Sequence, residues 1–112
     1  MINSRQKGAR AERQFRDKLR EAGFEARRGQ QYSGDPEAPD VKCKELDRLM
    51  HFEVKAVENL SIFKAIDQAI RDCGKGRWPI VTHTKNNKPW LITMQLEDWL
   101  DLIKEWHERS NI

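Results

Sequence analysis

The chain has 112 residues, which suffices for one domain with a single modest core and is too short for two. Charged residues make up 35% and hydrophobic residues 38%; the apolar positions are clustered and periodic, which excludes an intrinsically disordered chain. Net charge is +3, no apolar run approaches the roughly 20 residues needed to span a bilayer, and the N-terminus lacks a signal-type apolar segment, so a cytoplasmic protein is expected.

Charge distribution is more informative than its sum. Residues 1–28 hold nine Lys or Arg against four acids, whereas from Gln95 onward five acids oppose two bases. The basic end is the natural face for a polyanion, because Lys and Arg near phosphates release condensed counterions. Cys43 and Cys73 lack CxxC spacing or a neighbouring histidine and read as buried free thiols. His51, His83 and His107 are scattered, and a structural or incidental role is expected for each.

In chain order, Arg5 to Ala22 reads as a helix, with Ala11, Phe15, Leu19 and Ala22 at helical spacing and Gly23 as its breaker. Phe24 to Arg28 reads as a strand, and Gly29 to Pro36 as a polar, turn-rich loop. Strands are predicted over Pro39 to Cys43 and Leu49 to Ala56, joined by a polar reversal between Lys44 and Arg48. Ile62 to Cys73 is a second helix, with Ile62, Ile66, Ala69, Ile70 and Cys73 in one apolar stripe. Strands follow at Ile80 to Thr84 and Trp90 to Thr93 around the turn Lys85-Asn86-Asn87-Lys88. A last helix runs from Leu96 to His107, with Leu96, Trp99, Leu100, Ile103 and Trp106 expected on its buried side. The order α-β-β-β-α-β-β-α implies an α/β domain spanning 1–112, a mixed central β-sheet flanked by helices.

Chemistry enters with the acids. At 3.6 residues per turn Glu12 lies about 20° from Leu19 and about 60° from Phe15, on the face that should be buried. An isolated carboxylate there would cost several kcal/mol, so it needs either a neighbouring arginine or a divalent cation. Asp40 opens one short apolar strand, and Glu53-Val54-Lys55 lies within another. Side chains alternate along a strand, so Glu53 and Lys55 project together while Val54 points the other way. If the two strands pair as a hairpin, Asp40 and Glu53 can converge on one hard cation. Magnesium takes one or two protein carboxylates and leaves its other positions to water and phosphate. Taken singly, Asp40 could be a turn residue and the ExK triplet an exposed strand edge. The ordered set, completed by Gln68 on the following amphipathic helix, points to metal-assisted phosphodiester hydrolysis.

The segments Lys7-Gly8-Ala9-Arg10-Ala11-Glu12-Arg13, Ser33-Gly34, Pro39-Asp40-Val41 and Phe52-Glu53-Val54-Lys55 resemble the PD-(D/E)xK nuclease superfamily, in particular the archaeal-type Holliday junction resolvases and their phage relatives. The resemblance covers about the first seventy residues closely and the rest by element order. It implies a restriction-endonuclease-like core, Mg²⁺ with Mn²⁺ as substitute, and endonuclease activity on DNA. Glu12, Asp40, Glu53 and Lys55 would form the catalytic site with Gln68. Metal ligation would fall to Asp40, Glu53, the Val54 carbonyl and Glu12. Lys7, Arg10, Arg13, one or both of Arg27 and Arg28, and Ser33 would contact DNA. Branched DNA is the expected substrate and a homodimer the expected assembly, since paired nicks suit two sites related by a two-fold axis. Trp78, Phe63 or the last helix would supply the dimer patch. The alternatives are a flap, overhang or generic duplex nuclease, a non-catalytic nucleic-acid-binding module, and a protein-binding scaffold using exposed tryptophans. Trp99 and Trp106 are expected in the core, which opposes the last of these.

Overall fold

A computed structural model describes residues 4–29 and 40–110. Most of the predicted polar loop, including Ser33, and Pro39 lie outside the described residues. The elements are α1 (Ser4–Glu21), β1 (Ala26–Arg28), β2 (Val41–Cys43), β3 (Met50–Ala56), α2 (Ile62–Asp72), β4 (Trp78–Thr84), β5 (Leu91–Met94) and α3 (Leu96–Ser110). The five strands form one mixed sheet in the order β1-β2-β3-β4-β5, antiparallel except between β3 and β4. Only that pair is joined through a helix, as parallel neighbours require a crossover connection.

α1 ends where the sequence places its breaker. Gly23 adopts φ +99°, and the Gly23 and Phe24 amides donate to the Arg20 and Leu19 carbonyls (both 3.0 Å), the double closure that satisfies a helix's last acceptors. Ala22 lies beyond the helix and is exposed, so it leaves the predicted stripe. The first strand is shorter than expected because the Glu25 amide donates to the Glu45 carboxylate (3.0 Å) instead of to a neighbouring strand. β4 begins earlier than expected, at Trp78, whose amide donates to the Leu49 carbonyl. Amides alternate sides along a strand, so Pro79, which has none, faces away from β3, where the β5 ladder has already ended at Ile80 opposite Met94.

The sheet separates two apolar layers. On one face Ala11 and Phe15 of α1 pack on Ala26, Val41, Cys43, Phe52, Val54 and Ile80. Phe15 meets Phe52 edge to face with ring centroids 5.2 Å apart, an arrangement contributing about 0.5–1.5 kcal/mol beyond area burial. On the other face Ala65, Ile66 and Ala69 of α2 cover Val81. Ile70, expected in that stripe, is exposed. Both cysteines are buried free thiols, and no helix among the described residues is long and apolar enough to cross a membrane.

The largest departure from expectation is α3. None of its residues is buried, and Leu96, Trp99, Leu100, Ile103 and Trp106 all stand exposed, Trp106 at 63%. Helical periodicity marks a face that favours burial without saying what buries it. The single sheet already has a helix on each face, so the chain has no free layer to receive this one.

Candidate functional site

β3 carries the centre of the site. Phe52 and Val54 enter the α1 layer; alternation therefore sends His51, Glu53 and Lys55 toward α2. Glu53 and His51 are buried, and His51 Nε2 lies 2.9 Å from Glu53 Oε1. Lys55 Nζ donates to Gln68 Oε1 on α2 (3.0 Å). The resulting polar row runs along one face of a strand whose other face is apolar.

Asp40 reaches this row because β2 pairs antiparallel with β3, Val41 opposite Phe52. Val41 shares the Phe52 side of the sheet, so the preceding residue points to the Glu53 side. The Asp40 backbone is fixed on both sides: its amide donates to the Phe52 carbonyl and its carbonyl accepts from the Gly29 amide, both at 2.9 Å. Its Oδ2 accepts from the Val54 amide at 2.8 Å. The Asp40 and Glu53 side chains are hydrogen-bonded to each other. Burial, then the Glu53 charge and, more weakly, the Glu12 charge push the Asp40 carboxyl up from 3.8 to about 8, against the opposing pull of the Val54 amide. A carboxyl beside a second carboxylate resists ionising, so Asp40 keeps its proton.

Glu12 is buried on α1, as its helical position requires, and its partner is an arginine. Arg28 Nε and Nη2 both donate to Glu12 Oε1, at 3.0 and 2.9 Å. Asp40 feels the Glu12 charge. Arg28 and Arg27 part ways: Arg27 is exposed and lines a separate cleft of about 640 Å³ with Arg20, Lys42 and Lys44. Lys7, Arg10 and Arg13 are exposed on α1. Lys7 and Arg10 line a cavity of about 300 Å³ together with Lys85 and Lys88 from the turn between β4 and β5.

Sequence reasoning passed over Lys85 and Lys88, read only as turn residues, and gave His51 no more than a structural or incidental role. His51 was accessible in principle, since the same period of two that links Glu53 to Lys55 links His51 to both. The turn lysines carry no such signal, because their proximity to α1 is set by tertiary packing.

The donor chemistry suits a hard divalent cation. Asp40 and Glu53 present carboxyl oxygens side by side, a donor pair whose charge a hard cation would balance. Among the described residues no group of three or more His, Cys, Asp or Glu is arranged to hold a metal ion, since the Glu12 carboxylate is turned to Arg28. Two carboxylates are within what magnesium asks of a protein.

Comparison with known proteins bears on the fold and the family. No curated protein sequence gave a significant match. Among solved structures, the 1.6 Å structure of Archaeoglobus fulgidus Hjc, described as a Holliday junction resolvase from an archaeal hyperthermophile, superposes with a TM-score of 0.57 at 26% identity, covering 79% of this chain and 72% of that one. The sequence model of the archaeal Holliday junction resolvase (Hjc) family matches residues 3–71, which contain α1, β1, β2, β3 and nearly all of α2. Spanning more than half of the chain and every proposed catalytic residue, that match shows that the protein belongs to the archaeal Holliday junction resolvase (Hjc) family.

Proposed function

We propose that this protein is a Mg²⁺-dependent DNA endonuclease that nicks branched DNA, with four-way junctions as its preferred substrate. The observation that carries the reading is the hydrogen-bonded pair of half-buried Asp40 and buried Glu53, with Lys55 projecting from the same face of β3. A non-catalytic binding module gains nothing from that pair, because two like charges in a desolvated position oppose folding. Glu12 no longer weighs on this choice, since Arg28 satisfies it.

With a divalent cation bound, Asp40 would give up its proton and hold the cation with Glu53; the Val54 carbonyl, and Glu12 if released from Arg28, would be the further ligands. A bound divalent cation supplies polarisation of the scissile phosphate and a lowered pKa for a ligated water. Gln68 fixes the Lys55 ammonium, which offsets the charge that grows on the phosphoryl oxygens. Lys7, Arg10, Arg13, Arg27, Arg28 and Ser33 hold flanking phosphates, joined by Lys85 and Lys88 on the α1 side.

Two nicks in one junction call for two sites, and the bare face of α3 is the surface for a second copy of this chain. The helix has Glu97 and Asp98 in its first turn and His107 and Arg109 in its last. Antiparallel pairing about a two-fold axis therefore sets acidic ends against basic ends while Trp99, Ile103 and Trp106 cover one another. In light scattering, the wild type is expected at twice the chain mass and Trp99→Glu at the chain mass; a monomeric wild type would remove the dimer.

The activity is tested with an end-labelled four-way junction beside a linear duplex of matching sequence, in Mg²⁺, Ca²⁺ or EDTA. Junction cleavage confined to Mg²⁺ is expected. Equal cleavage of the duplex would favour a general nuclease, and salt-sensitive binding without cleavage in any buffer would favour the binding module.

A further inference from the structure

We propose that His51 is a positioning residue for the cation site: its Nε2–H holds the Glu53 carboxylate in the rotamer that meets Asp40. This rests on the reading of Asp40 and Glu53 as the cation-holding pair. His51 is fully buried and lies two residues before Glu53 on the same face of β3, with its backbone in register with Pro79 of β4. Its Nε2 is 2.9 Å from Glu53 Oε1. An ionised carboxylate offers only acceptors, so the ring is the donor in this bond.

The rest of the ring's environment explains why the bond matters. Among the described residues Nδ1 is buried and has no hydrogen-bond partner. A buried imidazole with one nitrogen unmet is a poor device for stability, since an apolar side chain of similar volume avoids the desolvation cost. The bond to Glu53 is the ring's one polar return. Glu53 gains more from it: the bond to Oε1 fixes one end of a flexible side chain, so the carboxylate stays beside Asp40 when Asp40 gives up its proton. Partners that orient a ligating carboxylate in this way typically contribute 10- to 100-fold to metal affinity.

The test compares His51→Gln with His51→Met, which match in length, so any loss of imidazole packing is common to both. Gln places an amide Nε2 as many bonds from the backbone as the imidazole Nε2, while Met offers no donor. Mn²⁺ binding to the full chain without DNA is read from the electron paramagnetic resonance of free Mn²⁺. The expected result is about 10- to 100-fold weaker binding in His51→Met and near wild-type binding in His51→Gln. Cleavage lost by His51→Met at limiting Mn²⁺ should return at excess Mn²⁺, which a misfolded site would not allow. If His51→Met does not fold, His51→Asn, whose shorter amide falls short of Glu53, takes its place with the same expectation. Wild-type affinity in the donor-free variant, or a His51→Gln as weak as His51→Met, would overturn the proposal. A wild type that binds no Mn²⁺ would instead overturn the parent reading.

Discussion

The two faces of β3 make opposite use of one strand. Phe52 and Val54 face α1 in a layer of apolar side chains, whereas His51, Glu53 and Lys55 face α2 and carry hydrogen bonds and charge. The apolar face supplies burial that stabilises the fold. The polar face holds a carboxyl pair whose burial works against it. Because alternation fixes which residue belongs to which face, stability and chemistry can be separated by substitutions one residue apart.

The sharpest use of that separation is Glu53→Ala beside Phe52→Ala. Removing a group that holds the cation forfeits several kcal/mol of transition-state stabilisation, so Glu53→Ala should lower junction cleavage by about 10²- to 10⁴-fold while melting near the wild-type temperature and still binding DNA. Phe52→Ala should cost about 3–5 kcal/mol of stability, read by urea unfolding, with cleavage by the folded fraction retained. If both variants lost stability alike, the division between the faces would fail.

A subtler effect concerns pH. Asp40 keeps its proton to about 8 in the fold but releases it near 3.8 once unfolded. The folded state therefore binds more protons across that window, and the advantage is lost as pH rises through 8. Without divalent cations the melting temperature should fall from pH 5.5 to pH 8.5, less steeply in Asp40→Asn, with added Mg²⁺ recovering most at the alkaline end. An identical slope in the variant would show that Asp40 does not drive it. The smallest effect belongs to Lys85→Ala with Lys88→Ala, which should weaken junction binding and reduce the salt dependence of the logarithm of affinity by about two. An unchanged salt slope would exclude the turn from the DNA track.

Much of this was legible in the residues. The element order, the convergence of Asp40 with Glu53 and the burial of Glu12 follow from strand and helix periods, which are local. The same logic misread α3: its stripe resembles that of α1, yet α1 lies on the sheet and α3 lies bare. Periodicity reports a face and is silent on its partner, which depends on how many layers the rest of the chain has filled. For His51 the period of two gives the shared face with Glu53, but the complete burial of its ring comes from tertiary packing and is not local.

The central claim is that Asp40 and Glu53 together hold a divalent cation. Calorimetric titration of Mn²⁺ into the DNA-free protein at pH 7.5, repeated with Asp40→Ala and Glu53→Ala, addresses it directly. Saturable binding by the wild type that vanishes in both variants is the expected result; binding that survives either substitution would contradict the account.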